Sequence, residues 1–295
     1  MEKLKGISVY VGLSDYNIEE TLNYLTVAKE KGIDFVFTSA HIPEACIEGD
    51  FQRLLDKSDE LNLPLVVDVS KKVMDKFNLP KSLGALRLDY GFTIEEVVMY
   101  SNNLPYLIEL NASNLTRSYL EKLKSLNANF SNIRLSYNFY PKRYTGMDIE
   151  NVKRLNSLYK EYGLKVLAYI PSNSGKRPPL YDGLPSVETH RDLDICLASY
   201  ELFAAGCDGV CIGDAYINLD DFDKLDLVAG VSASSPVLKY LDTINATYGI
   251  RELEKKYLDS INNGDDPNIY LNYELLEDGT YAVTGFNGIG KSTLM

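Results

Sequence analysis

The chain has 295 residues, 45% of them apolar and 24% charged, the balance of an ordinary globular protein, which excludes a disordered chain, a fibrous one and a coiled coil. Lys and Arg number 30 against 42 Asp and Glu, a net charge of −12. That charge repels a polyphosphate backbone and argues against nucleic-acid binding, but it leaves room for one small anion held by a local cluster of Arg and Lys.

Eight short runs rich in Val, Ile, Leu and Phe predict strands at residues 7–13, 33–38, 65–69, 85–89, 106–111, 133–138, 165–170 and 209–213. Nearly continuous apolar runs suit parallel strands covered on both faces. The intervals cluster near the ~30 residues of one β-plus-α unit. Between the first two runs, Ile18, Leu22, Leu25 and Ala28 share a helical face behind Asn17, with Glu20 three residues on as a capping-box variant. Thr93 and Glu96 fit the box itself. Gly32, Gly163 and Gly206 each fall between a helix and the next strand, where a left-handed residue closes a helix. The expected fold class is therefore α/β, a TIM-type (β/α)8 barrel over residues 1–230. A doubly wound open sheet shares the alternation and is the alternative.

After residue 230 the pattern changes. Residues 237–257 look helical, 262–266 form a turn cluster, and 269–275 and 281–284 are strand-like. Residues 231–295 read as a linker helix and the start of a small, mostly β domain that the chain does not finish. Such a domain would expose apolar surface, which a homo-oligomer contact would cover. No stretch approaches ~18 consecutive apolar residues, and the N-terminus is too short and polar for a signal-peptide core. A soluble, cytoplasmic protein without a membrane partner is expected. Cys46, Cys196, Cys207 and Cys211 show no zinc-ligand spacing and read as small buried hydrophobes.

In such a barrel the reacting groups lie at the carboxyl ends of the strands and in the loops that follow. The carboxylates there are Asp68, Asp89, Glu109 and Asp214, each interrupting or ending an apolar run. Four together point to acid/base or nucleophilic chemistry, or to divalent-ion ligation; the structural alternative is that each pairs with an arginine or caps a helix. Arg87 alternates with Leu86 and Leu88, as an inward ion pair would. Other polar groups at this end are His41, Asn111, Asn138, Tyr140 and Ser172. The loop after the seventh strand gathers Lys176, Arg177, His190 and Arg191, where barrels commonly bind phosphate and arginine suits bidentate contacts.

Absences narrow the chemistry. No lysine lies in the carboxyl half of a predicted strand, which argues against a Schiff-base aldolase; Lys5 is expected to precede its strand. Two histidines cannot build a His-rich metal centre, so no metal and no cofactor are expected. The segment 285–292 matches a P-loop pattern, but the chain ends three residues later, leaving no helix to present amides to phosphate.

The motifs Ser-Ala-His41-Ile-Pro-Glu, Leu-Arg87-Leu-Asp89-Tyr-Gly-Phe, Ile-Glu109-Leu-Asn111, Asn138-Phe-Tyr140-Pro, Tyr-Thr145-Gly, Ile-Pro-Ser172, Gly-Lys176-Arg177, Tyr181-Asp-Gly-Leu-Pro, His190-Arg191 and Ile-Gly213-Asp214 occur in this order. Together they resemble the 6-phospho-N-acetylmuramidase (MupG-like) glycosidase family over about residues 5–230. The resemblance implies a TIM-type barrel followed by a cyclophilin-like β domain. It implies hydrolysis of N-acetylmuramic acid 6-phosphate–N-acetylglucosamine in cytoplasmic peptidoglycan recycling, with a phosphorylated amino sugar as small-molecule partner. Two carboxyl groups drawn from Asp68, Asp89, Glu109 and Asp214 would flank the glycosidic oxygen. In a substrate-assisted variant one of them orients the 2-acetamido group. Arg177, with Lys176, His190 or Arg191, would hold the phosphate; Asn111, Asn138 and Tyr140 would bond sugar hydroxyls, with His41 and Ser172 also against substrate. Two alternatives stay open: a Mg²⁺-dependent phosphosugar lyase or isomerase using the same acids, and a non-catalytic sugar-phosphate binding protein.

Overall fold

A computed structural model describes residues 3–12, 17–40, 48–74, 83–229, 272–275 and 281–284. Eight parallel strands close into a barrel in sequence order: β1 (Leu4–Ser8), β2 (Phe35–Ser39), β3 (Leu65–Val69), β4 (Ala85–Leu88), β5 (Leu107–Asn111), β6 (Ile133–Ser136), β7 (Lys165–Ile170) and β8 (Gly209–Ala215). The helices α1 (Ile18–Glu30), α2 (Glu48–Leu61), α3 (Lys71–Met74), α4 (Ile94–Asn103), α5 (Arg117–Ser125), α6 (Ile149–Glu161), α7 (Ile195–Ala204) and α8 (Leu219–Ala229) alternate with them. The open-sheet alternative is thereby excluded. The chain divides into two compact units, Met1–Leu241 and Asp242–Met295. In the second, β9 (Asn272–Leu275) and β10 (Tyr281–Thr284) pair antiparallel. The predicted linker helix, Cys46 and the P-loop-like segment lie outside the described residues.

The strand ends lie within two residues of those the apolar runs predict, with one larger correction. The first strand runs Leu4–Ser8 rather than 7–13. Lys5 therefore sits inside it, buried, with its ammonium on Asp226 of α8; the charge reaches the surface on a buried stem. Asn17 caps α1 by accepting from the Glu19 amide, whereas Thr93 and Glu96 form the full capping box of α4. Gly32, Gly163 and Gly206 all have positive φ at helix ends. Cys207 and Cys211 are buried; Cys196 is half-buried.

Outward-facing Val36, Val67, Leu86, Ile108, Leu135, Val166 and Ile212 join the helices in the larger core. The barrel interior is a separate cluster around Tyr10, Phe35, Phe37, Val66, Leu167 and Tyr169. The two-residue side-chain period of a strand assigns the faces.

Candidate active site

Register decides the fate of most of the acids. Ser39 pairs with Asp68, Asp68 with Arg87, Arg87 with Glu109 and Glu109 with Arg134, one residue from each of β2 to β6. This row is an alternating ladder of charge inside the barrel. Arg87 Nη1 donates to Asp68 Oδ1 at 2.8 Å, and Arg87 Nε stands 3.8 Å from Glu109 Oε1. Arg134 Nε donates to Glu109 Oε2 at 2.8 Å and Nη2 to the same oxygen at 2.5 Å. Charges this deep persist because each is paired. Asp68 and Glu109 thus satisfy the arginine-pairing alternative, and Glu109 is 1% exposed.

Asp89 differs. It follows β4 at the rim, its side chain is 25% exposed, and its Oδ1 is 3.9 Å from Arg87 Nη1. Of the four acids it is the most open to solvent.

Asp214, near the end of β8, is buried and accepts three backbone amides: Arg177 on Oδ1 at 2.8 Å, Ser172 on Oδ2 at 2.9 Å and Leu184 on Oδ2 at 3.3 Å. Burial pushes its carboxyl above the ordinary aspartate range, against the pull of those amides. All three donors belong to the β7–α7 loop. Asp214 is thus the post around which that loop is wound. Gly213 permits the close approach, since a Cβ there would lie 2.4 Å from the Leu184 carbonyl oxygen.

Replacing Asp214 by asparagine leaves one acceptor oxygen for three donors and turns an NH2 toward at least one of them. A cost of ~1–3 kcal/mol is expected. Because this carboxyl binds its proton more tightly folded than unfolded, its contribution to stability falls as pH rises from the ordinary aspartate value through the folded one. Asp214→Asn should remove that slope; unfolding free energies measured across that pH range check it.

The same loop carries Arg177. Its guanidinium lies 4.3 Å from the Tyr10 ring centroid and 6.0 Å from that of Phe139. Tyr10, Phe37, Phe139 and Tyr169 form an edge-to-face aromatic floor beneath it, with centroids 5.1–6.5 Å apart. Arg177 Nε is buried and has no hydrogen-bond partner. Among the described residues no carboxylate pairs with this arginine, unlike Arg87, Arg134, Arg143 and Arg191.

The other basic residues of this loop have separate positions. Lys176 Nζ is 3.6 Å from Asp192 Oδ1. Arg191 is 2% exposed. It is saturated by Glu188 and by the carbonyls of Tyr140, Asp182, Gly183 and Lys142. His190 is 0% exposed, with Nε2 2.5 Å from Glu201 Oε2 on α7. Both were expected against phosphate. In the structure the Arg191 guanidinium latches the loop through these protein partners, whereas His190 meets Glu201 through Nε2 and its buried Nδ1 has no hydrogen-bond partner among the described residues. Glu188 also accepts the Tyr144 and Gly146 amides, tying the β6–α6 loop to the β7–α7 loop.

Ser172 is buried, and its Oγ accepts the Ser174 and Gly175 amides at 2.9 Å. Asn111 and Asn138 are half-buried, and each carboxamide oxygen is already bonded, to the Ser113 amide and to Arg87. Tyr140 is half-buried, and burial raises its phenol pKa. His41 lies outside the described residues. Three tyrosines in the loops at this end, Tyr144, Tyr181 and Tyr216, hold positive φ of 65°, 53° and 54°. Bulky residues seldom adopt that conformation, and it concentrates at functional sites. Among the described residues, no three His, Cys, Asp or Glu are grouped so as to hold a metal ion, and no helix is long and apolar enough to cross a membrane.

The family model for 6-phospho-N-acetylmuramidase, N-terminal, matches residues 5–227, the whole barrel from within β1 into α8. The chain belongs to the 6-phospho-N-acetylmuramidase family. Two crystal structures resemble this member of the family. An uncharacterized Bacillus cereus protein is 28% identical with a TM-score of 0.66, the match covering 79% of this chain and 66% of that one. A conserved Enterococcus faecalis protein of unknown function is 29% identical with a TM-score of 0.67, covering 80% and 70%. The chain thus spans about two thirds of the length of the B. cereus protein. A truncated 3-deoxy-D-arabino-heptulosonate 7-phosphate synthase from Thermotoga maritima, 14% identical with a TM-score of 0.50 over 84% of this chain and 88% of that one, shares the fold alone. No curated protein matches the chain.

Proposed function

We propose that this protein is a glycoside hydrolase that cleaves N-acetylmuramic acid 6-phosphate from N-acetylglucosamine, in a disaccharide or muropeptide, as a cytoplasmic step of peptidoglycan recycling. The observation that carries the reading is family membership across the entire barrel. Arg177 supplies the physical complement: an arginine over an aromatic floor, with a buried nitrogen that has no protein partner. A phosphate ester offers the charge and acceptors that such a group requires. Lys176, its neighbour, adds a second cation near the mouth.

Glycoside hydrolysis places a carboxylate against the sugar, whether two carboxyl groups act together or the substrate's own amide takes part. Asp89 is assigned that position by its exposure and its place at the rim. Asp68 and Glu109 support it through the charge ladder. Asp214 acts through the loop that presents Arg177.

Arg177→Ala is expected to lower kcat/KM on the phosphorylated disaccharide by roughly 10- to 100-fold. That is the equivalent of ~1.5–3 kcal/mol for a hydrogen bond to a charged group. The loss should fall mainly in KM, and turnover of the unphosphorylated disaccharide should stay within about threefold. Equal losses on both substrates would remove Arg177 from phosphate recognition.

A further inference from the structure

Barrels commonly seat phosphate where the loops after the seventh and eighth strands meet a helix N-terminus. In this chain the start of α8 is already served by protein groups. The Asn218 side-chain oxygen accepts the Asp221 amide at 2.9 Å, and Asp220 and Asp221 supply the negative charge that suits a first turn. What α8 holds is the neighbouring loop. Ser174 Oγ donates to Asp221 Oδ2 at 2.7 Å and accepts the Asn218 amide at 3.0 Å. Asp221 is 2% exposed, so the β7–α7 loop is tied to a carboxylate with little freedom of its own.

The next residue makes a second contact with the same turn. A Cβ on Gly175 would fall 2.3 Å from the Tyr216 carbonyl oxygen and 2.9 Å from that of Ala215, so the two loops meet backbone to backbone. Tyr216 is one of the tyrosines with positive φ, and α1 anchors it. Its ring centroid is 4.9 Å from that of Tyr24, and its hydroxyl meets Thr21. The following amide, of Ile217, donates to Tyr24 Oη at 3.0 Å. A carbonyl anchored in this way has little room to retreat from Gly175. Arg177 lies two residues further along, its own amide on Asp214. The segment from Ser172 to Arg177 is thus held at both ends and at its middle.

We propose that Ser174 and Gly175 are positioning residues for phosphate recognition. By docking the β7–α7 loop on the β8–α8 turn they set where the Arg177 guanidinium meets the ester. This rests on the sugar-phosphate reading above and adds to it the residues outside the ligand's reach that govern its phosphate preference. A guanidinium–phosphate contact depends on direction as well as charge, and a shift of about 1 Å imposed from outside a site can cost ~10²-fold. Gly175 is required by the close approach, and Ser174 by the bonds that keep it.

Kinetics of the full chain on the disaccharide with and without its phosphate test the assignment. Ser174→Ala deletes the hydroxyl and introduces no atom. It should raise KM for the phosphorylated disaccharide by about tenfold, with kcat within about twofold and unphosphorylated turnover within about threefold. Ser174→Thr keeps the hydroxyl and should stay within about twofold of wild type on both substrates. Gly175→Ala forces the loops apart and should raise the same KM at least as far as Ser174→Ala does. The deciding comparison repeats Ser174→Ala in the Arg177→Ala background. There it should change KM by less than about twofold, because no guanidinium is left to misplace. A loop residue that merely stabilises the fold would cost the same in both backgrounds and on both substrates. That result, or a wild-type KM in Ser174→Ala, would overturn the positioning role while Arg177 keeps its own, and Ser174→Ala decides even where Gly175→Ala fails to fold. A wild-type protein without preference for the phosphorylated disaccharide would overturn the functional reading, and the positioning role with it.

Discussion

Arg87→Met is expected to destabilise the barrel by ~3–5 kcal/mol, the cost of removing one partner from a buried ion pair. Arg87 is 4% exposed and donates to Asp68, Ser136 and Asn138. Without it Asp68 loses its guanidinium bond at 2.8 Å, and its contact with the Ser39 hydroxyl, at 3.4 Å, is too long to replace that bond. Glu109 is spared, because Arg134 still holds it. The deficit therefore sits on Asp68, and the double variant Arg87→Met/Asp68→Asn should recover about half the loss. Urea unfolding of the two singles and the double reads this coupling. A loss below ~1 kcal/mol in Arg87→Met would mean that the ladder behaves as a solvated surface pair.

The ladder also shows what a linear sequence conceals. Eight strands were legible because parallel strands buried on both faces leave long apolar runs. The first was misplaced because Leu4–Ser8 contains Lys5 and Gly6, whereas the more apolar Val9 and Val11 follow it. Asp68, Arg87 and Glu109 were each visible as a charge within an apolar run. Their pairing depends on register between strands, which no single strand carries. Arg134 was missed, although Ile133-Arg134-Leu135-Ser136 alternates just as Leu86-Arg87-Leu88 does. That repeat was the available signal. The β7–α7 loop misled in the opposite way. Four basic residues read as one phosphate cluster, yet the acids that occupy His190 and Arg191 lie on α7 and in a neighbouring turn. Only the folded chain separates the residues already bonded to carboxylates from Arg177. Tyr10 was passed over as strand residue, and its role as the platform under Arg177 follows from a contact between opposite ends of the barrel sequence.

Asp89→Asn is expected to lower kcat by ~10²–10⁴-fold, the usual range for loss of a positioned acid or base. The substitution is isosteric. Its ion pair with Arg87 is long and partly solvated, at 3.9 Å with a side chain 25% exposed, so loss of that pair should cost no more than ~1 kcal/mol. Activity and unfolding then move independently, which separates a reacting group from a supporting one. Glu109→Gln should show the reverse pattern, because that residue is 1% exposed and committed to Arg134. Stability falls first, and turnover falls only as the rim loosens. Unchanged turnover in folded Asp89→Asn would take Asp89 out of the reaction.

The account depends on the carboxyl end of this barrel being a phosphosugar site. The most direct measurement offers the chain N-acetylmuramic acid 6-phosphate–N-acetylglucosamine beside the same disaccharide without phosphate, and resolves the products by mass. Release of N-acetylmuramic acid 6-phosphate and N-acetylglucosamine, with the unphosphorylated disaccharide cleaved at least ~10-fold more slowly, is the predicted result. Cleavage of both at the same rate, or of neither, would contradict it.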